Sequence, residues 1–183
     1  MPKILFVDDE PLRVEFIVNR IKSSPGYEVI YSKTIGKAYT EITNRDNRID
    51  AIILDLFMPF DKNIIFTDED WKGLKVDTQY TGVAFYNYLF RNNLLKYVPV
   101  LILTNRSADE IDEIKKYFRI DKHDLFYTMD KMQDAPKRIM SKLEEMLGDK
   151  PKGFIVGVDM KYMDIKRKII SIGKTLKQGD KNE

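Results

Sequence analysis

Short apolar runs alternate along the chain with stretches whose apolar residues recur every three or four positions. The first pattern predicts strands buried on both faces and the second predicts amphipathic helices. Ile4-Leu5-Phe6-Val7 is the first such run. Residues from Pro11 to Ser23 predict a helix, with Leu12, Phe16, Ile17 and Ile21 at helical spacing and Pro11 tolerated in the first turn. Pro25-Gly26 breaks the pattern, and Tyr27 to Tyr31 reads as a strand, placed at an edge by Glu28. A weaker helix covers Gly36 to Asn44, and Ala51-Ile52-Ile53-Leu54 is the next buried strand, ending at Asp55. Beyond an irregular stretch come a helix over Gly82 to Asn92 and a strand over Val98 to Leu103, where Pro99 must sit at the strand's start or at an edge. Ser107 and Glu110 have the spacing of a capping box, opening a helix to Phe118 with Ile111, Ile114 and Phe118 on one face. Leu125 to Met129 reads as a fifth strand. The clearest helix runs from Asp134 to Leu147, with Ile139, Met140, Leu143, Met146 and Leu147 three and four apart and Gly148 as its stop.

Five strand–helix pairs predict an α/β protein with right-handed crossovers and a parallel sheet covered on both faces. An apolar content of 43% and a charged content of 33% fit a soluble globular chain. No apolar run approaches the roughly 20 residues a bilayer requires. The opening MPKILFVDDE turns acidic too early for a signal peptide, and the absence of cysteine excludes disulfides and thiolate metal sites. A cytoplasmic setting is the simplest expectation. The net charge of +2 is uneven: residues 149–183 hold nine Lys/Arg and five Asp/Glu, which leaves 22 basic and 24 acidic residues in 1–148. A basic extension, with a strand pattern over Phe154 to Val158 and a helical one over Tyr162 to Leu176, thus follows a mildly acidic body. Its charge is too dispersed to favour nucleic-acid binding.

In open parallel sheets ligands bind beyond the carboxyl ends of the strands, where the strand order reverses. The predicted strand ends bring Asp8 and Asp9, Asp55, Thr104 and Lys131 to that edge. Three converging carboxylates repel one another unless a cation joins them, and few, hard, water-accessible oxygens suit Mg²⁺. A carboxylate beside Mg²⁺ can attack a phosphoryl group, while a hydroxyl and an ammonium hold the product's oxygens. Each residue alone is an ordinary loop residue; the joint occurrence carries the reading. His123 in a charged turn and the incomplete P-loop pattern at Gly173-Lys174-Thr175 do not compete with it.

Residues 1–148 resemble the response-regulator receiver domain of two-component systems, through KILFVDDEP at 3–11, DAIILDLFMP at 50–59, PVLILTN at 99–105 and FYTMDK at 126–131. The resemblance implies a doubly wound, flavodoxin-like three-layer fold with five parallel strands in the order 2-1-3-4-5. It implies that Asp55 accepts the phosphoryl group, and that Asp8, Asp9, Asp55 and the backbone carbonyl of Phe57 hold Mg²⁺. Thr104 corresponds to the switch hydroxyl and Lys131 to the lysine that pairs with the acyl phosphate. The donor would be a histidine kinase or phosphotransfer protein. Signalling would run through the face of the family's fourth helix, fifth strand and fifth helix, which can also form a homodimer. No enzyme activity beyond self-phosphorylation and self-dephosphorylation is implied, and no membrane partner.

The sequence also departs from the family. Met132 stands where proline usually follows the lysine, Thr128 occupies the aromatic switch position, and Asn105 replaces a small residue. Between Pro59 and Gly82, which members bring close together, lies an insertion over about 60–80 with Trp71 and the acidic run Asp68-Glu69-Asp70. Thr67 and Asp70 are placed to cap a short helix there. The insertion is either a loop packed on its own Trp71 or a flap gating the phosphorylation site. The departures at 128 and 132 leave a second reading, a phosphorylation-independent receiver serving as an interaction module. A phosphohydrolase with its nucleophile on the first strand would need Asp-x-Asp-x-Thr, which Asp8-Asp9-Glu10-Pro11-Leu12 does not supply.

Overall fold

A computed structural model of the chain describes residues 1–44, 46–62, 64–71, 80–95, 97–105, 107–118, 126–131 and 136–148. The strands are β1 (Lys3–Val7), β2 (Glu28–Ser32), β3 (Ala51–Leu54), β4 (Val100–Thr104) and β5 (Phe126–Asp130). They form one parallel sheet in the order β2-β1-β3-β4-β5. The helices are α1 (Pro11–Ser23), α2 (Ile35–Thr43), α3 (Asp68–Trp71), α4 (Thr81–Arg91), α5 (Ala108–Lys115) and α6 (Pro136–Gly148). Both the parallel sheet and its predicted order are therefore observed, with β2 at the edge. Because α3 lies in the insertion, α5 and α6 correspond to the family's fourth and fifth helices. Among the described residues no helix is long and apolar enough to cross a membrane.

Strand alternation divides the core in two. Leu5 and Val7 of β1, Ile52 and Leu54 of β3, and Val100 and Ile102 of β4 face a cluster built with Ile35 and Ala38 of α2, Val83, Tyr86 and Leu89 of α4, and Ile114 of α5. Ile4, Phe6, Ala51, Ile53, Leu101 and Leu103 face the other way, onto Val14, Ile17, Val18 and Ile21 of α1 and Ile139, Met140, Leu143 and Met146 of α6. A sheet buried on both faces explains why its strands are continuous apolar runs.

The local signals hold with small shifts. Ser107 and Glu110 form a reciprocal capping box at α5, and Thr34 caps α2 by accepting from the Lys37 amide. Pro99 precedes β4 and contributes only its carbonyl, which accepts from the Ile52 amide at 3.0 Å. The apolar face expected for α1 needs correction. Leu12 is 86% exposed and Phe16 52% exposed, while Val14 and Val18 join Ile17 and Ile21 inside. Both arcs satisfy helical spacing; the arc that meets the sheet and α6 is buried. Leu125, Met132 and the extension over 149–183 lie outside the described residues, as does most of the turn before α6.

The described part of the insertion is anchored at three points. Asp61 Oδ2 accepts from the Gly36 amide at 2.6 Å, meeting the open N-terminus of α2. Phe66 packs edge-on against Trp71 and Tyr88, with centroids 5.8 and 6.0 Å apart, and Trp71 is buried. Asp70 is fully buried and pairs with Arg91 through two bonds of 2.9 and 3.0 Å. Half of the predicted capping box forms: the Thr67 amide and hydroxyl donate to Asp70 Oδ2 at 2.8 and 3.0 Å, while the Asp70 amide donates to the Thr67 carbonyl at 2.9 Å. Asn87 of α4 donates to the Asp70 carbonyl and, 30 residues on, to that of Tyr117, both at 2.8 Å. Trp71 is thus a buried residue, packed on Phe66, which itself packs against the α2–α4 face of the core.

The buried Asp70 carboxylate is met by Arg91 and by Thr67, so removing its charge weakens several bonds together. Asp70→Asn is expected to lower unfolding free energy by about 1–3 kcal/mol, toward the lower end because Arg91 can turn to water. Urea unfolding at neutral pH measures the loss. An unchanged midpoint would mean that the pair adds nothing.

Candidate functional site

The sheet order reverses between β1 and β3, since β1 connects outward to β2 and β3 continues toward β4. At that switch point the chain leaves β1 at Asp8 and β3 at Asp55. Backbone bonds extend the ladders by one residue to fix both: the Asp8 amide donates to Ser32 O and the Asp55 amide to Val7 O, each at 3.0 Å. Lys131 follows β5 and is tied to β4 through its amide, which donates to Thr104 O at 2.6 Å. Asp8 and Thr104 are fully buried, and Asp55 and Lys131 nearly so.

One oxygen from each of Asp8, Asp9 and Asp55 lies within 4.8 Å of the others. The Lys131 ammonium bridges two of these groups, at 2.6 Å from Asp55 Oδ2 and 2.5 Å from Asp8 Oδ2. Burial pushes the Asp55 carboxyl up to about 6; Lys131 opposes the rise and the charge of Asp8 adds to it. Asp9 is also raised, by burial first and then by the charges of Asp8 and Glu10. Burial works against the Lys131 ammonium, but Asp55 and Asp8 outweigh it and hold it above its ordinary value. Three carboxylates and one ammonium leave the cluster short of positive charge.

A divalent cation fits that shortfall. Asp8 Oδ1 is engaged by the Glu10 amide at 2.9 Å, whereas buried Asp8 Oδ2 meets Lys131 as an ion pair without hydrogen-bond geometry. Three carboxylates this close, sharing one ammonium, suit a hard, oxygen-seeking ion such as Mg²⁺. The Phe57 amide points at Asp55 Oδ1 from 3.4 Å, and the Phe57 ring packs on Tyr80 with centroids 4.9 Å apart.

Gly82 sets how closely α4 approaches the site. Its amide donates to Leu56 O at 3.1 Å, and a Cβ there would collide with the backbone of Asp55 and Leu56. Only glycine allows the helix to begin against the peptide that follows Asp55. Tyr127 of β5 lies on the α6 side, with Lys142 Nζ 4.8 Å from its ring, so it does not share the face of Thr128. All six residues expected at the site, Asp8, Asp9, Asp55, Phe57, Thr104 and Lys131, therefore lie at the carboxyl edge. Tyr31 is the residue that sequence reasoning missed: its hydroxyl donates to the Asp8 carbonyl at 2.5 Å. Nothing local signals that bond, because the pairing of β1 with β2 creates it.

Three solved structures illustrate what this architecture is similar to. Chemotaxis protein CheY4 of Vibrio cholerae is 22% identical, with 80% of this chain and 98% of that one covered at a TM-score of 0.54. The receiver domain of Francisella response regulator 1452 is 20% identical, with 81% and 98% covered at 0.53. A CheY-like response regulator receiver domain protein of Methanospirillum hungatei is 16% identical, with 81% and 95% covered at 0.52. No protein-family model matches the sequence, and no curated protein sequence matches it significantly. The chain has the receiver fold.

The raised Asp55 carboxyl has a consequence in metal-free protein. Its value is about 6 when folded against an ordinary 3.8, so the folded state holds more protons across that window. The contribution of Asp55 to stability should fall as pH rises from about 4 to 6. In chelator, Asp55→Asn should remove this decline from stability–pH curves measured by denaturant unfolding. Parallel curves for the two proteins would contradict the assignment.

Proposed function

We propose that the chain is a response-regulator receiver that accepts a phosphoryl group on Asp55 from a phosphohistidine donor, on a histidine kinase or phosphotransfer protein, in a Mg²⁺-dependent reaction. The observation carrying this reading is the cluster of Asp8, Asp9 and Asp55, gathered at the switch point of a receiver fold and bridged by Lys131. Asp8, Asp9, Asp55 and the Phe57 carbonyl would hold the ion, which when bound screens negative charge between nucleophile and phosphoryl group. An Asp55 carboxylate oxygen attacks phosphorus, and the bond from phosphorus to the donor nitrogen breaks. Lys131, already beside Asp55, pairs with the incoming phosphoryl oxygens, and the Thr104 hydroxyl at the end of the adjacent strand donates to them. The product places roughly two negative charges in a buried site and thereby biases a two-state surface over α5, β5 and α6. Output runs through protein contacts, in the cytoplasm.

A second reading, an interaction module that works without phosphate, draws support from the orientation of Tyr127. Its ring lies on the α6 side, which leaves the usual pairing of switch hydroxyl and aromatic without its aromatic partner at 128.

Incubation with acetyl phosphate and Mg²⁺, followed by intact mass, separates the two. One phosphoryl group is expected on the wild type, none with chelator and none on Asp55→Asn. Asp9→Ala should raise the Mg²⁺ needed for half-maximal labelling by about tenfold or more through loss of a ligand. Stoichiometric labelling of Asp55→Asn would sink the phospho-acceptor assignment, and an unlabelled wild type would favour the interaction module.

A further inference from the structure

We propose that Tyr31 is a positioning residue for the acidic cluster, its hydroxyl locking the Asp8–Asp9 peptide so that both carboxylates present an oxygen to a divalent cation. The proposal rests on the reading that Asp8 and Asp9 hold Mg²⁺. Asp8 has four polar groups, and three are anchored: its amide to Ser32 O at 3.0 Å, its Oδ1 to the Glu10 amide at 2.9 Å, and its carbonyl to the Tyr31 hydroxyl at 2.5 Å. The fourth, Oδ2, faces the cluster.

The Tyr31 bond solves a specific problem. The β1–β2 ladder ends at Val7 opposite Ser32, and the chain then turns toward α1, which starts at Pro11. The Asp8 carbonyl therefore leaves the sheet just where the peptide to Asp9 must be held. Tyr31 pairs with Phe6 in register, and the two rings pack with centroids 6.1 Å apart. From that fixed ring the phenol reaches past the end of the strand and supplies the donor that the ladder no longer provides. The Asp8 carbonyl and the Asp9 amide belong to one planar unit, so a bond to the first orients the second residue. Rotation of that plane would swing the Asp9 carboxylate away from Asp8 and Asp55.

The test uses the full-length chain. Mg²⁺ is titrated into metal-free wild type and Tyr31→Phe, and binding is followed by amide chemical shifts of Asp8, Asp9 and Asp55. Tyr31→Phe keeps the ring and removes only the hydroxyl. Its Mg²⁺ midpoint should rise by about three- to tenfold. Acetyl phosphate labelling should show the same rise in half-saturating Mg²⁺ with an unchanged rate at saturation. Tyr31→Leu, which also removes the ring, should melt lower while shifting the midpoint no further. A Tyr31→Phe midpoint within twofold of wild type, or a shift seen only in Tyr31→Leu, overturns the proposal. If wild type itself gives no Mg²⁺-dependent shifts at the three aspartates, the cation reading fails first and takes this proposal with it.

Discussion

The Lys131 ammonium between Asp8 and Asp55 is the interaction on which the arrangement of the site turns. Two nearly inaccessible carboxylates a few ångströms apart are unfavourable without a counter-charge, because a low-dielectric surround magnifies their repulsion. One ammonium cannot offset three acids; burial is the main reason the Asp55 carboxyl is raised, and the charge of Asp8 adds to it. The cluster is therefore held in a state that gains from added positive charge. A stability-driven design would place apolar residues at these positions. Their presence at the edge where parallel sheets bind ligands supports the chemistry proposed for this site.

Holding such a cluster requires a rigid frame. The ladders supply it, their bonds continuing one residue beyond the strands: β1–β2 fixes Asp8 and β1–β3 fixes Asp55. Gly82 then lets α4 close against the Asp55–Leu56 backbone, so the loop after β3 is pinned from the helix side as well. Each of these contacts acts on backbone, where freedom to move is least.

The insertion adds a second layer of restraint away from the acids. Asp61 engages α2, Asp70 and Trp71 pack on α4, and Asn87 ties the Asp70 carbonyl to that of Tyr117, just past α5. Its described residues thus extend the core of the α2–α4 face. Phe66 of the insertion packs on Trp71, and residues 72–79 lie outside the described residues. The same contacts join the insertion to the end of α5, one of the elements in the proposed output face.

Much of this protein was legible in its sequence. Continuous apolar runs at 4–7, 51–54 and 100–103 announce strands covered on both sides, because only burial on two faces removes the polar alternation. Asp8, Asp9, Asp55, Thr104 and Lys131 could be gathered from the sequence, since each follows a predicted strand and parallel strands align their carboxyl ends. The capping signals at Ser107 and at Thr67 with Asp70 are local and were legible for the same reason. Other features depend on which surfaces meet in space. Helical spacing on α1 permits two arcs, and only contact with the sheet and α6 decides that Val14 and Val18 are inside while Leu12 and Phe16 face solvent. The Lys131 bridge, the Gly82 approach and the Tyr31 bond to Asp8 join residues on separate elements. Sequence determines what each segment can offer; packing across the sheet decides which offers are taken up, because those bonds exist only once distant strands share a register.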